Sequence, residues 1–402
     1  LKDVIGKITS GGTPKVGNED YYDGDIPFLK ISDLTACSRT IFTSEETITE
    51  KALAETSTKV FPAGTVVTTM YGTIGVTRFL GRPMATNQAI AAFLQLKGIV
   101  DEFLFHVINR DAEKLSSLSS QTTQANISAT VLKKHLILTP PLKEQKKIAS
   151  ILTSIDNVVE NLQKQIDKLQ DLKKATMNEL LTKGTSHTEL KDTELGKIPK
   201  NWEIFSTSSL YEFKNGLNKE KKAFGRGHRI VNYMDVFSRP EISEEDLNGR
   251  VQLSKNEIER FSVSSGDLFF TRTSETPLEI GLSSVLTKVS EDVCFSGFIL
   301  RAKPVNKKIF TKLSGRLYRC DYIRKQIVRT CSYTTRALTN GTSLGKVLVA
   351  LPSIEEQKEI YTVLKSIEKN IEDKQIEKNK YIFFKKSIMQ DLLTGKIRVQ
   401  VS

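Results

Sequence analysis

Ile148, Leu152, Ile155, Val159, Leu162, Ile166 and Leu169 recur at alternating steps of four and three along an otherwise polar stretch. That spacing lays one narrow apolar stripe along a helix, the seam of a coiled coil. No Gly or Pro interrupts residues 142–183, and Pro140-Pro141 marks the entry. A long helix is therefore predicted over 142–183. The stretch recurs 212 positions later. Glu144-Gln145 falls on Glu356-Gln357, Ile148 on Ile360, Leu152 on Leu364, and Leu180-Leu181-Thr182 on Leu392-Leu393-Thr394. A second helix is predicted over 354–395, with Ile360, Leu364, Ile367, Ile371, Tyr381, Phe384, Ile388 and Leu392 as its stripe and Lys374 and Lys378 interrupting it. A repeat at this spacing marks a duplicated domain rather than a solenoid.

A helix of about 40 residues reaches roughly 60 Å at 1.5 Å per residue, and so narrow a stripe asks for a helical partner. The other copy is the nearest candidate. Each helix follows a mixed unit. In residues 1–141, Ile26–Asp33 is expected as a strand running into a turn, with strands over Thr65–Tyr71 and within Gly72–Gly81 and a third strand or a buried segment over Ala85–Leu94. Glu102–Leu118 has helical spacing, and Ser116–Ser128 is a polar loop. Residues 184–201 form a polar linker, residues 202–353 the second unit. That unit keeps the order of the first with little identity: Phe61-Pro-Ala-Gly has its counterpart in Val263-Ser-Ser-Gly, and Leu136–Pro140 in Leu348–Pro352. The short linker suggests an antiparallel helix pair with the units at opposite ends, related by a pseudo-twofold axis. The fold class is α+β, two mixed units separated by an antiparallel two-helix coiled coil.

The totals narrow the class. The 402 residues are 39% hydrophobic and 26% charged, an ordinary globular balance. No apolar run approaches a membrane span and no signal peptide is visible, so a cytoplasmic location is expected. The chain opens on Leu1 rather than Met, so its natural start is expected upstream. Cys37, Cys294, Cys320 and Cys331 have no metal-ligand spacing and are expected as thiols. A net charge of +12 points to a polyanion. No enzyme motif accompanies it. Thr139-Pro-Pro-Leu lacks the acid or amide and the aromatic ring of an amino-methyltransferase loop, and Gly341–Val347 is one residue short of a P-loop. No metal site is predicted from four scattered histidines.

Pro-Pro-Leu-x-Glu-Gln-x-x-Ile at Pro140–Ile148 and Pro-Ser-Ile-Glu-Glu-Gln-x-x-Ile at Pro352–Ile360 resemble the helix entries of type I restriction–modification specificity subunits. Gln124-Ala-Asn-Ile-Ser, Gly72-Thr-Ile-Gly, Asn87-Gln88, the Leu-Leu-Thr helix ends and Gly196-Lys-Ile-Pro-x-Asn-Trp extend the likeness over essentially the whole chain. The second unit departs from it, with Ala337-Leu-Thr-Asn-Gly-Thr in place of the Gln-x-Asn-Ile-Ser pattern. The resemblance implies two target recognition domains, each reading half of a split target in double-stranded DNA. It also implies a tryptophan-bearing opening before the first unit like that at Trp202. The helices would be spacers that dock two modification (methyltransferase) subunits through Glu144, Gln145, Ile148, Glu356, Gln357 and Ile360. Restriction/translocase subunits would join them, with S-adenosylmethionine, ATP and Mg held by the partners. This chain would carry no cofactor and no chemistry. The rod would limit half-site separation to under about 18 base pairs at 3.4 Å each.

Candidate DNA contacts follow from charge and loop chemistry. Lys307, Lys308, Lys312, Arg316, Arg319, Arg324, Lys325, Arg329 and Arg336 run with only Asp321 opposing them, as a phosphate-tracking stripe would. The run ends at Tyr333, Thr334 and Arg336, groups suited to base edges. Arg226 and Arg229 lie in a second basic patch, and Arg272 and Thr273 follow a strand. Tyr71, Arg78, Gln121, Thr122, Thr123 and Gln124 are the equivalents in the first unit. The rival reading is a cytosolic coiled-coil scaffold that binds only protein; it predicts no salt-dependent DNA affinity.

Overall fold

The computed structural model describes residues 1–119, 125–290 and 292–400. The chain divides into two units, 1–165 with 374–402 and 166–373, so each takes a segment of both long helices.

The first unit is built on a five-stranded sheet in the order Ile5–Ser10, Ile90–Leu96, Val66–Thr69, Thr77–Leu80, Thr40–Ile41. All pairings are antiparallel except the last. A second, four-stranded sheet pairs Tyr22–Leu29 with Glu46–Ile48 and, in parallel, with Met84–Thr86. The expected strand over Ala85–Leu94 is thus two strands in different sheets, broken at Asn87, whose side chain accepts from the Ala89 N–H at 3.1 Å. The stretch Ile26–Asp33 leaves its strand at Leu29 and ends not in a turn but in a helix, Ile31–Ala36, and the helical stretch after Glu102 breaks at Asp111 into Asp101–Arg110 and Ala112–Ser117.

The second unit repeats the five-stranded sheet as Tyr211–Asn215, Ile299–Pro304, Leu268–Thr271, Ser283–Leu286, Glu241–Ile242, again with only the last pair parallel. Gly64 and Gly266 turn the chain into the central strand of each copy at φ 79° and 94°. A left-handed backbone there favours glycine. The expected linker carries a hairpin, Leu190–Thr193 with Gly196–Pro199, and then Glu203–Ser206 pairs with Leu348–Leu351 over buried Trp202.

The long helices run Leu142–Lys183 and Ile354–Leu393. Each is followed by a glycine at positive φ, Gly184 and Gly395, whose N–H donates back to Leu180 and Leu392 respectively. Ile148 and Leu152 are buried in the first unit's core beside Phe103, Val107 and Leu393; Ile360 and Leu364 are buried in the second's beside Leu313 and Leu181. Full burial of each such side chain contributes roughly 1.5–3 kcal/mol.

Within the first unit the helix segments run antiparallel, Lys385 on Asp156 and Lys378 on Gln163. Within the second they do likewise, Lys173 on Glu368 at 2.9 Å. Lys378 therefore does not break the seam; it crosslinks it. Phe384, placed in the stripe from its spacing, is instead half exposed at 51%, while Tyr381, Lys385 and Ile388 turn further inward.

His106 is fully buried in the first unit, with Nε2 3.3 Å from Thr153 Oγ1. Burial, reinforced by the charges of Lys385 and Arg39, pushes its pKa down to about 3. A depressed folded pKa makes the unfolded chain the better proton acceptor, so stability is complete above the ordinary histidine range and falls as pH drops toward 3. We expect a loss of up to about 1.4 kcal/mol per pH unit below about pH 6.5. Urea midpoints of the wild type and His106→Gln compared across pH 7 to 4 check this: the variant's slope should be shallower by that amount.

Candidate nucleic-acid interface

The clearest polar surface of the second unit is a three-stranded ribbon, Thr273–Ser274, Ala337–Leu338 and Ser332–Tyr333. The central pair is anchored by buried Ala337, which leaves Tyr333, Thr334 and Arg336 exposed around the turn, where Thr334 N–H donates to the Arg336 carbonyl. Arg272 is tied in from both sides: its N–H donates to Phe298 O at 3.1 Å and its carbonyl accepts from Thr339 N–H at 3.0 Å. Five candidates separated by up to 64 positions, Arg272, Thr273, Tyr333, Thr334 and Arg336, thus share one ribbon. Arg329 is exposed on the helix Asp321–Thr330 that leads into it, and Arg226 is exposed on the strand Phe224–Val231.

A pocket of about 410 Å³ opens beside the ribbon, lined by Thr273, Ser274, Glu275, Glu279 and Arg336 together with Tyr233, Met234, Phe237 and Phe298. The apolar members were not expected from sequence. The available signal was Phe298 itself, a large apolar residue in a Ser-Gly-Phe turn where a buried side chain has no place.

The basic run does not survive as a stripe. Arg316 is buried and bound by Glu241 at 2.8 Å and by Glu368. Arg319 donates to the carbonyls of Ser283, Val236 and Phe237, and Arg324 to that of Leu278. Burial pushes both guanidinium pKa values down to about 10. Their partners are distant in sequence, which is why the run looked unopposed. Arg229 is also structural, its Nη1 donating to Glu244 O at 2.7 Å and Leu247 O at 3.2 Å. In the first unit Arg78 donates to Cys37 O at 2.6 Å and Thr77 O at 2.8 Å, so it braces a loop. Tyr71 bridges to Asn126, and Ile127 N–H donates to Met70 O, which seats the Ala-Asn-Ile segment against the strand end. Gln121, Thr122, Thr123 and Gln124 lie outside the described residues.

The six residues expected to dock a partner are buried instead, and each makes internal contacts. Gln145 accepts from Val100 N–H at 2.9 Å and donates to Gly98 O and Pro140 O; Gln357 accepts from Phe310 N–H at 2.7 Å and donates to Lys308 O and Pro352 O. Glu144 accepts from Arg398 and Val399 N–H, just past the second long helix. Glu356 accepts from Thr185 N–H and pairs with His187, just past the first. Ile148 and Ile360 enter the cores. The repeated Glu-Gln-x-x-Ile motif therefore fastens a domain to its helix and to the tail of the other helix. Arg398 holds the Glu144 carboxyl below the usual carboxylate range.

Among the described residues, no cluster of three or more His, Cys, Asp or Glu side chains could hold a metal ion, and no helix is long and apolar enough to cross a membrane. The four cysteines are free thiols.

Two copies of one α+β domain, each packed on antiparallel helix segments and each presenting a different loop surface, define a duplicated recognition protein. The chain belongs to the family described as "Type I restriction modification DNA specificity domain", which matches residues 1–171 and 199–383. Among curated relatives it is 28% identical over 331 residues to the type I restriction enzyme MjaVIII specificity subunit of Methanocaldococcus jannaschii, covering 80% of this chain and 76% of the relative. It is 31% identical over 230 residues to the MjaIX specificity subunit of the same organism, covering 55% of this chain and 53% of that one. The fold matches a solved type I restriction–modification S subunit from M. genitalium at a TM-score of 0.54 and 14% identity, covering 100% of this chain and 95% of the other. A solved chain from a study of type I R-M complex assembly matches at 0.62 and 14%, covering 98% and 97%.

Proposed function

We propose that this chain is the sequence-reading, non-catalytic subunit of a type I restriction–modification complex. In this reading each domain reads one half of a bipartite duplex target, and the long helices carry two methyltransferase subunits. S-adenosylmethionine, ATP and Mg belong to the methyltransferase and restriction subunits, and the complex works in the cytoplasm. The observation that carries the reading is the ribbon of half-buried Arg272 and Thr273 and exposed Tyr333, Thr334 and Arg336, standing on a core that the first domain shares. Conserved cores with divergent polar loops suit two readers of different sequences. Partner docking falls to the outward helix faces, since the Glu-Gln-x-x-Ile residues are turned inward.

The test is to reconstitute the chain with the methyltransferase subunits and profile the methylated sites. A split target and an affinity falling steeply with salt are expected; absence of sequence preference would overturn the reading. Arg336→Ala should weaken binding about 10-fold and relax one half-site only, the usual effect of removing one base-reading arginine.

A further inference from the structure

The two domains can be superposed residue by residue at their loop face, because the same hydrogen bonds recur. Asp33 accepts from Lys30 N–H at 2.7 Å at the start of the helix Ile31–Ala36, and Asp235 accepts from Asn232 N–H at 2.8 Å at the start of Tyr233–Ser238. Asn87 accepts from Ala89 N–H at 3.1 Å, and Ser296 Oγ accepts from Phe298 N–H at 3.3 Å. The strands before these turns pair identically, Leu29 with Thr86 and Val231 with Phe295. Hence Met234 stands where the first domain has Ser32, Phe237 where it has Thr35, and Phe298 where it has Ala89.

All three replacements go from small to large and apolar, and they converge on the one pocket beside Arg336 and Thr273. Two of the three side chains are left in the open, Met234 at 58% and Phe298 at 65% exposure. Neither is needed by the fold, since the first domain closes the same turns without them. Glu275 and Glu279 on the pocket wall would repel a phosphate, so the pocket faces bases rather than backbone. In the major groove the only apolar group that a base pair offers is the C5 methyl of thymine.

We propose that Met234, Phe237 and Phe298 form a contact for the C5 methyl of a thymine in the half-site of the second domain, next to the polar groups of Arg336 and Thr273. The first domain carries Ser32, Thr35 and Ala89 at the equivalent positions, too small to make this contact there. This rests on the reading of the chain as a DNA-sequence reader.

The test uses the full chain with its methyltransferase subunits and the duplex target found by profiling, with each thymine replaced in turn by uracil, which lacks only the methyl. At one thymine of the half-site relaxed by Arg336→Ala, uracil should weaken binding about 4-fold, the effect of withdrawing one methyl-sized apolar contact. In Phe298→Ala and Met234→Ala that thymine-to-uracil ratio should fall to about 1, while ratios in the other half-site stay unchanged. Because the ratio is internal to each protein preparation, partial misfolding does not alter it. The proposal is overturned if no uracil in that half-site matters, or if the variants keep the wild-type ratio. It is also overturned if the variants shed the methyltransferase subunits with the ratio intact, which would make the patch a protein interface. Loss of all sequence preference in the wild type would instead remove the DNA-reading function itself.

Discussion

Arg316→Ala is expected to destabilise the second domain by about 3–5 kcal/mol, the usual result of removing one partner from a buried ion pair. Arg316 is almost wholly buried, stacks over the Tyr361 ring with its guanidinium carbon 5.1 Å from the centroid, and joins Glu241 to Glu368. Burial lowers its pKa, but the two carboxylates outweigh that and raise it. Without the guanidinium, Glu368 keeps Lys173 at 2.9 Å and Glu241 keeps Lys365 at 3.2 Å, both less buried. Arg39→Ala in the first domain should cost less, because Arg39 is 16% exposed against 2% for Arg316 and its nearer partner, Glu102, is 40% exposed. Urea unfolding of both variants measures the difference; a loss under about 1 kcal/mol for Arg316→Ala contradicts the account.

Gln357→Ala should cost about 2–4 kcal/mol, since it leaves the Phe310 N–H and the Lys308 and Pro352 carbonyls without their buried partner. Gln145→Ala removes the equivalent three bonds in the first domain and should cost a similar amount. The two share no partner, so their effects on unfolding should add. Gln357→Glu is the sharper variant. It keeps the volume, yet turns a carboxylate oxygen toward two carbonyls and should be more damaging at pH 8 than at pH 5. An equal loss relative to the wild type at both pH values would contradict this account.

These two sites show how a motif can be legible while its role is not. The Glu-Gln-x-x-Ile repeat stood out in the sequence, and its residues were expected on a docking surface. Their partners, at Gly98, Val100 and Arg398 for one copy and Lys308, Phe310 and His187 for the other, lie tens to hundreds of positions away. The basic run misled for the same reason: Glu241 and Glu368 neutralise Arg316, and carbonyls distant in sequence bind Arg319 and Arg324, only after folding. In the opposite direction, Met234, Phe237 and Phe298 carry no pattern in the sequence that sets them apart, and folding gathers them at a surface pocket.

Local periodicity and an internal repeat were enough to determine two long helices and a duplicated α+β domain, and the resemblance of the motifs at the helix entries pointed to the family. Those properties depend on residues close in sequence or on comparison of one half with the other. Which arginines remain free for DNA, which carboxylates are already paired and which apolar side chains stay outside were decided only by tertiary packing. Burial and ion pairing are set by distances between segments far apart along the chain, and no local pattern encodes those distances.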